Sequence, residues 1–211
     1  MNQRERMLSG LPYKAWLDSL EEDRQACKQK IYDFNQLPPS RQSKEAPQMI
    51  KNIFGKTGEN VWVEAPFHCD YGWNIEVGEN FYSNYNLTIL DVGKVTCGKN
   101  VQIAPNVSIY TAGHPVHPDS RNSGYEYGIP VTVGDNVWIG GNTVILPGVT
   151  VGSNVVIGAG SVVSKDIPDN TIAAGNPCKV IREITDEDRI YYFKKQKFDD
   201  EAWEEVKNKN K

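Results

Sequence analysis

The chain has 211 residues, 39% of them hydrophobic, and its net charge is −4 because 27 acidic residues outnumber 23 basic ones. This length suits one domain with appendages, and the negative charge excludes a general electrostatic attraction to nucleic acid. No run approaches the roughly 18 apolar residues of a membrane span, and the N-terminal MNQRERMLSG lacks the apolar core of a signal peptide. We therefore expect a cytoplasmic protein that binds neither nucleic acid nor membrane.

The four cysteines are scattered along the chain, and none belongs to a Cys-x-x-Cys pair: Cys27, Cys69, Cys97 and Cys178. This spacing indicates neither a disulfide framework nor a cysteine-rich zinc site. Free thiols fit a reducing compartment.

The N-terminal segment, residues 1–56, is predicted to form a helical cap. A capping box that begins at Ser19 predicts an amphipathic helix ending near Asn35, where a Leu-Pro-Pro-Ser run breaks it. A second helix is expected over about 46–54, with Pro47 in its first turn. Two interpretations remain open: the helices are only a packing appendage, or they form a lid on an acceptor site or a subunit contact.

A six-residue repeat fills Val133–Pro168. The first position of every unit is apolar and β-branched: Val133, Ile139, Ile145, Val151, Ile157 and Val163. This period matches neither a helix nor an isolated strand and is typical of a parallel β-helix, in which three units make a coil of about 18 residues. First-position side chains then point into a prism whose coils must stack. The alternative is a Gly-rich all-β domain with chance periodicity.

Shorter six-residue runs precede this stretch, so we place the β-helix over residues 57–184. The step from Ile89 to Cys97 is eight residues, which indicates two inserted residues near Val92. Between residues 110 and 131 the period fails altogether. A polar, Gly- and Pro-rich loop of about 20 residues inside a compact repeat is usually functional.

The segment after Pro168 is expected to finish the last coil. Thr185 and the three acidic residues behind it then predict a final amphipathic helix through about Lys207. Residues 185–211 are therefore assigned to a C-terminal helix and tail. The predicted fold is mainly β, with helices at both ends.

Three histidines are candidates for chemistry: His68, His114 and His117. An imidazole titrates near neutrality and is the usual general base, but a histidine in a surface loop is more often merely solvated. A zinc site would need three protein ligands and an open position. Pro115, between two of the three histidines, hampers such an arrangement, so we expect no metal.

A basic cluster near the C-terminal coils is a candidate phosphate site: Lys165, Lys179 and Arg182. Trp138 should face outward, where its indole can stack on a purine. A solvated charged surface is the competing interpretation. Neither a Walker sequence nor a Rossmann glycine fingerprint is present.

Six segments carry a family resemblance: YDFN, CDYGWNIEVGENFYSNYN, IAPNVSIYTAGHPVHPDSRNSG, PVTVGDNVWIGGNTVILPGVTVG, GAGSVVSKDIP and AAGNPCKVI. Over roughly residues 4–193 the chain resembles the sugar O-acetyltransferases of the hexapeptide class named for maltose and galactosides. The resemblance implies a left-handed parallel β-helix and a homotrimer with active sites between subunits. It also implies acetyl-CoA as co-substrate, with no tightly bound cofactor.

The resemblance assigns roles to individual residues. His114 corresponds to the catalytic base, and Asn84 to the polar residue beside it that contacts the reacting groups. The acceptor-side positions are Asp70, Tyr82, Asn84 and Arg24. The coenzyme groove corresponds to Trp138, Gly141, Ala159, Ser164, Lys165, Lys179 and Arg182.

Three positions depart from the galactoside-type pattern. Val92 replaces an acidic acceptor contact, Glu126 replaces an apolar residue of the acceptor loop, and Ala15 replaces an acidic cap residue, for which the nearby Asp18 is a substitute. The stretches FHCDYG, LDVG and RNSG resemble the maltose branch, which favours a glucosyl acceptor.

The expected reaction is direct acetyl transfer from acetyl-CoA to a sugar hydroxyl. His114 would take the hydroxyl proton and return it to the CoA thiolate, while a backbone N–H near Gly141 would stabilise the oxyanion. Alternatives are another hydroxyl acceptor, such as a galactoside, an antibiotic or an oligosaccharide, a zinc lyase of the carbonic-anhydrase type, or a non-catalytic scaffold.

Overall fold

A computed structural model describes residues 1–208 of the chain. The N-terminal cap contains three helices, namely α1 (Gln3–Leu8), α2 (Leu20–Asn35) and α3 (Pro39–Ile53). Behind them the chain winds as a solenoid with three flat faces. No helix within the described part of the chain is long and apolar enough to cross a membrane.

Each face is a stack of parallel strands taken from successive coils. Face 1 contains β1 (Val61–Val63), β4 (Phe81–Ser83), β7 (Gln102–Ile103), β12 (Trp138–Ile139), β15 (Val156–Ile157) and β17 (Thr171–Ala174). Face 2 contains β2 (Phe67–Cys69), β5 (Leu87–Leu90), β8 (Ser108–Tyr110), β13 (Val144–Ile145) and β16 (Val162–Val163). Face 3 contains β3 (Ile75–Val77), β6 (Val95–Cys97), β11 (Val131–Val133) and β14 (Thr150–Val151). The predicted left-handed parallel β-helix with helical ends is confirmed.

The apolar row of the repeat lines the interior of the prism. All six first-position residues of the Val133–Pro168 stretch are at most 1% exposed. An asparagine ladder runs along the corner between faces 3 and 1, where Asn100, Asn136 and Asn154 join successive coils through side-chain hydrogen bonds of 2.8 and 2.9 Å. These asparagines adopt the left-handed backbone conformation that the corner requires.

Coil length changes along the solenoid. Trp138 pairs with Val156, eighteen residues on, whereas Tyr82 pairs with Gln102, twenty residues on. In the early coils the extra residues lie between faces 2 and 3, which confirms the insertion expected near Val92. A matching insertion after Cys69 was not predicted, although the eight-residue step from Cys69 to Val77, which pairs with Cys97 in the next coil, would have revealed it.

The cap closes the open N-terminal end of the prism. Cys27, Phe34 and Ile50 are buried and continue the core of the first coil. Because α3 begins at Pro39, the predicted start at residue 46 is wrong. Proline is favoured at a first helical position, where no N–H is needed, and Pro47 therefore lies inside the helix.

The predicted capping box at Ser19 is also wrong. Ser19 has a φ of 65°, and its side chain makes no capping hydrogen bond. The preceding Asp18 has a φ of 54° as well. Two consecutive left-handed residues bring the chain into α2 by a tight turn, which the capping pattern does not anticipate.

The C-terminal segment is not one long helix. Strand β18 (Lys179–Glu183) runs antiparallel to β17 and is followed by a 3-10 helix (Asp186–Ile190). A hairpin, β19 (Tyr191–Phe193) and β20 (Gln196–Lys197), then precedes the α5 helix (Asp200–Asn208). Residues 209–211 of the predicted tail lie outside the described part of the chain.

The helix expected from Thr185 to Lys207 is thus interrupted. Thr185 forms its capping box with Asp188, but it starts only the short 3-10 helix. Lys194 then takes a positive φ of 50° at the turn of the hairpin, so the chain reverses before α5 begins.

Candidate active site

Two corners of the coil carry most of the predicted site residues. The first corner is the turn that follows face 1, and the second corner is the turn that follows face 2. Asn84, Gly141 and Ala159 lie at the first corner, directly after or one residue beyond strands β4, β12 and β15. Asp70 and Asp91 lie at the second corner, directly after β2 and β5.

The irregular segment at residues 110–131 leaves from the second corner and returns to face 3. It contains β9 (Ala112–Gly113), a short helix α4 (Pro118–Asn122) and β10 (Tyr127–Gly128). His114 follows β9 directly, and its side chain is exposed. The structure therefore presents this imidazole to solvent at the same corner as Asp70.

The N-terminal segment clasps this loop. Tyr13 and Glu126 exchange two backbone hydrogen bonds of 2.9 and 3.0 Å, and the Tyr13 hydroxyl donates to Glu126 Oε1 at 2.5 Å. Burial, followed by this carboxylate, raises the pKa of Tyr13 well above its usual value. Glu126, which the sequence singled out as a departure from the family pattern, is thus a structural anchor of the loop.

Asp70 is half-buried between the cap and the second corner. Burial raises the pKa of its carboxyl, and the nearby Arg24 and Lys28 charges oppose that shift. The Arg24 guanidinium donates to the Tyr71 hydroxyl at 3.2 Å, which holds this cation beside the corner. Asp18, by contrast, accepts the Gln3 N–H at 2.6 Å and is exposed on the cap.

A second aspartate, which is not among the residues predicted from the sequence, holds the backbone of Asp70 in place. Asp91 is 0% exposed, and its Oδ1 accepts the backbone N–H groups of Asp70 and Tyr71, both at 2.9 Å. Its Oδ2 is buried without a hydrogen-bond partner among the described residues. The only signal in the sequence was its place at the head of the insertion near Val92.

Val92 itself packs inward. It is 4% exposed and lies in a small apolar cluster with Tyr13, Leu20 and Tyr71. The position where galactoside-type members have an acidic acceptor contact is therefore part of the packing between cap and coil in this chain.

The outer side of face 1 forms a shelf beside the first corner. Tyr82, Gln102 and Trp138 lie side by side in register. Trp138 is 55% exposed, so its predicted outward orientation is confirmed. A flat indole on an open strand face is suited to stacking on a planar ring.

The predicted basic residues lie around the C-terminal coils. Ser164 and Lys165 follow β16 at the second corner, whereas Lys179 and Arg182 lie on β18 at the edge of face 1. Arg182 is held by Asp188 through a bidentate ion pair of 2.7 and 2.6 Å, and the Arg182 guanidinium in turn keeps the pKa of Asp188 at about 2. The guanidinium of Arg182 is therefore less available to a ligand than the amino groups of Lys165 and Lys179 are.

The histidines of the zinc interpretation are dispersed. His68 lies on β2, while His117 caps α4, where its Nδ1 accepts the Asp119 N–H at 3.2 Å. Within residues 1–208, no group of three or more His, Cys, Asp or Glu side chains is arranged to hold a metal ion.

Within a single chain, the predicted site residues lie in two separate groups. Asn84 precedes β5 and Asp91 follows it, so this strand, about 13 Å long at 3.3 Å per residue, separates the two corners. Tyr82, Asn84 and the indole shelf belong to the first part, and Asp70 and His114 belong to the second.

Two family patterns match the chain. Residues 6–58 match the maltose acetyltransferase hexapeptide capping motif, and residues 130–165 match the bacterial transferase hexapeptide pattern of six repeats. The first covers the helical cap, and the second covers the regular part of the β-helix.

Curated relatives and solved structures agree with these patterns. The galactoside O-acetyltransferase of Escherichia coli strain K12 is 51% identical over 197 residues, which cover 93% of this chain and 97% of that protein. A maltose O-acetyltransferase from Clostridium difficile 630 superimposes with a TM-score of 0.86 and 52% identity, over 88% of this chain and 99% of the other. A galactoside acetyltransferase in complex with coenzyme A has a TM-score of 0.91 and 50% identity, over 94% and 99% of the two chains. The chain belongs to the maltose and galactoside O-acetyltransferase family of hexapeptide-repeat proteins.

Proposed function

We propose that the protein is an acetyl-CoA-dependent O-acetyltransferase that acetylates a sugar hydroxyl, with His114 as general base. The observation that supports it best is the exposed His114, presented by a clasped loop at the corner that also carries Asp70. Family membership supports the same chemistry, since the related galactoside acetyltransferase was solved with coenzyme A.

The proposed reaction is a direct transfer. Neutral His114 accepts the proton of the sugar hydroxyl while the oxygen attacks the thioester carbonyl. The tetrahedral intermediate then collapses, the C–S bond breaks, and His114 returns the proton to the CoA thiolate. No acyl-enzyme is needed. The contact with the Cys27 sulfur, followed by burial, raises the pKa of Cys69, and burial raises the pKa of Cys97, which makes these thiols poor nucleophiles.

A backbone group at the first corner is the proposed oxyanion donor. The N–H of Gly141 makes no hydrogen bond within the described residues, whereas its carbonyl accepts the Gly160 N–H at 2.8 Å. Such a fixed, unpaired donor can stabilise the developing negative charge. The Asn84 side chain is oriented by its Oδ1, which accepts the Tyr85 N–H at 2.8 Å, and its amide nitrogen is left for the reacting groups.

The donor is proposed to lie along the first corner and the indole shelf. Trp138 would stack on the adenine, and Lys165 and Lys179 would pair with phosphates. Ala159, Ser164 and Arg182 complete the coenzyme groove that the resemblance implies.

The two parts of the site are proposed to meet between subunits of a homotrimer. Asn84 of one subunit would then face His114 of the next, because one chain holds these two residues at different corners. A cyclic trimer repeats this junction three times without leaving an unmatched surface.

For the acceptor, we favour a glucosyl sugar. Asp70 and Arg24 are among the polar groups proposed for the acceptor side, and the acidic contact of galactoside-type members is replaced by the buried Val92. Another hydroxyl acceptor, such as a galactoside, an antibiotic or an oligosaccharide, is the alternative. Comparing kcat/KM for glucosides, galactosides and non-sugar alcohols separates these substrates.

Thiol release from acetyl-CoA tests the proposal. Replacing His114 with alanine should lower kcat by about 10² to 10⁴, which is the usual contribution of a positioned general base. His117→Ala, in the same loop and also exposed, is the matched control and should keep wild-type kcat. The proposal fails if His114→Ala remains fully active or if the wild-type enzyme acetylates no hydroxyl acceptor.

A further inference from the structure

We propose that the cavity between α2 and face 2 is a second sugar subsite, which holds the ring adjoining the one that is acetylated. The inference rests on the proposed function, because Asp70, the acceptor-side carboxylate, forms one end of this cavity. It goes further by making the preferred acceptor at least a disaccharide and by assigning its second ring to residues outside the catalytic corner.

The cavity has the size of a ligand site. Its volume is 780 Å³, within the range of about 300 to 1,000 Å³ that small-molecule sites occupy. It extends from Asp70 at the second corner onto the outer side of face 2, where His68 and Leu90 point outward. The helix α2 forms the opposite wall with Lys28 and Tyr32.

The walls of the cavity are fixed. The Asn35 side-chain amide makes two hydrogen bonds of 2.9 Å with the backbone of Phe67: its Nδ2 donates to the carbonyl, and its Oδ1 accepts the N–H. Beneath the cavity, the buried sulfur atoms of Cys27 and Cys69 are 3.6 Å apart, which packs α2 directly against β2. The space is therefore formed before any ligand arrives, and little ordering cost is left for binding.

Aromatic and polar side chains meet at the rim in the combination that carbohydrates require. The Tyr32 ring is 61% exposed, so a flat apolar surface is open to the C–H face of a sugar. The side chains of Tyr32, Gln36 and His68 make no hydrogen bond with any residue from 1 to 208. Their donors and acceptors are free to exchange bonds with sugar hydroxyls.

The charges at the cavity argue for a neutral ligand. Lys28 and Asp70 contribute one cation and one anion to the lining. A phosphate group would gain from Lys28 but would face the carboxylate of Asp70. A neutral ring with many hydroxyl groups can use both, as donor to one and acceptor from the other.

Acceptor length tests the subsite. With acetyl-CoA saturating, kcat/KM is measured for glucose, maltose and maltotriose in the wild-type enzyme and in the Tyr32→Ala and His68→Ala variants. We expect each substitution to lower kcat/KM for maltose by about tenfold, the equivalent of 1.4 kcal/mol. Glucose should remain within about twofold of wild type, because it does not reach the second subsite.

Tyr192→Ala is the matched control. Tyr192 is also an exposed tyrosine, at 58%, but it lies on the C-terminal hairpin. Its substitution should therefore change kcat/KM for neither glucose nor maltose. The subsite is contradicted if both variants lower kcat/KM equally for glucose and maltose, or if they change kcat/KM for neither sugar. In those cases sugar acetylation and its dependence on His114 would stand, whereas a wild-type enzyme that acetylates no sugar would overturn both proposals.

Discussion

Asp91 combines deep burial with incomplete hydrogen bonding. One oxygen of its carboxylate holds the backbone of Asp70 and Tyr71, and the other has no partner among residues 1–208. Burial raises the pKa of Asp91 to about 6, well above its ordinary value of 3.8, although the two backbone hydrogen bonds favour the charged form. At neutral pH the charged Asp91 carboxylate therefore lowers the free energy of unfolding of the protein.

The pH dependence of stability should reveal this cost. Because the folded state binds the Asp91 proton more tightly than the unfolded chain, stability from this group is greatest below about pH 4 and falls as pH rises to about 6. The shift corresponds to about 3 kcal/mol. Measured by urea unfolding, the free energy of unfolding of Asp91→Asn relative to that of wild type should therefore rise by about 2.4 kcal/mol between pH 4 and pH 7. A constant difference across that range would contradict the assignment.

Individual residues differed in how much the sequence revealed. His114 could be singled out because it lies where the six-residue period fails, and Trp138 because its position in the unit points outward. Asp91 could not, since its partners are backbone N–H groups of another coil, twenty and twenty-one residues away in sequence. Such contacts depend on the stacking register of the coils, which no local pattern encodes.

At the scale of elements, the contact between Tyr13 of the N-terminal segment and Glu126 of the inserted loop, called the clasp, connects the cap to the loop that carries His114. Tyr13 is fully buried, and its hydroxyl is the side-chain donor to the half-buried Glu126. Lys14 also lies over the Tyr125 ring, 5.1 Å from its centre. The cap is thus more than a packing appendage, because it fixes the segment that carries His114.

Removing the hydroxyl that closes this clasp should loosen the loop. Tyr13→Phe leaves the Glu126 carboxylate without its donor, which costs about 1 to 3 kcal/mol for a desolvated polar group. We expect a lower free energy of unfolding and a higher KM for the acceptor, since the loop is held less firmly. Tyr125→Phe, one residue from Glu126, is the control and should change neither quantity. Equal effects of the two substitutions would refute the clasp.

The helices were predicted less well than the strands, for a physical reason. The strand repeat is confirmed wherever it is regular, because each inward residue is fixed by the same stacking contact in every coil. The start of α3 and the course of the C-terminal segment depend instead on single turns, at Pro39 and Lys194. A left-handed residue such as Lys194 has no signature in its side chain, so the turn could not be read from the sequence.

For the whole molecule, the six-residue period was enough to predict a parallel β-helix, whereas its left-handed winding was predicted from the family resemblance. A continuous core runs from α2 and α3 through all coils to Cys178, so the prism is rigid and its corners are fixed relative to each other. The same rigidity explains why the candidate site could not be assembled from one chain. Asn84 and His114 are held at different corners, and the proposed homotrimer would bring them together between subunits.

Mixing two inactive variants tests this central claim most directly. His114→Ala and Asn84→Ala are purified separately and are each expected to have low kcat. Refolded or co-expressed together, they should regain activity, because a mixed trimer contains junctions with an intact Asn84 on one subunit and an intact His114 on the next. For random cyclic trimers, roughly a quarter of the sites should be restored. Mixed oligomers with no more activity than the separate variants would contradict an active site shared between subunits.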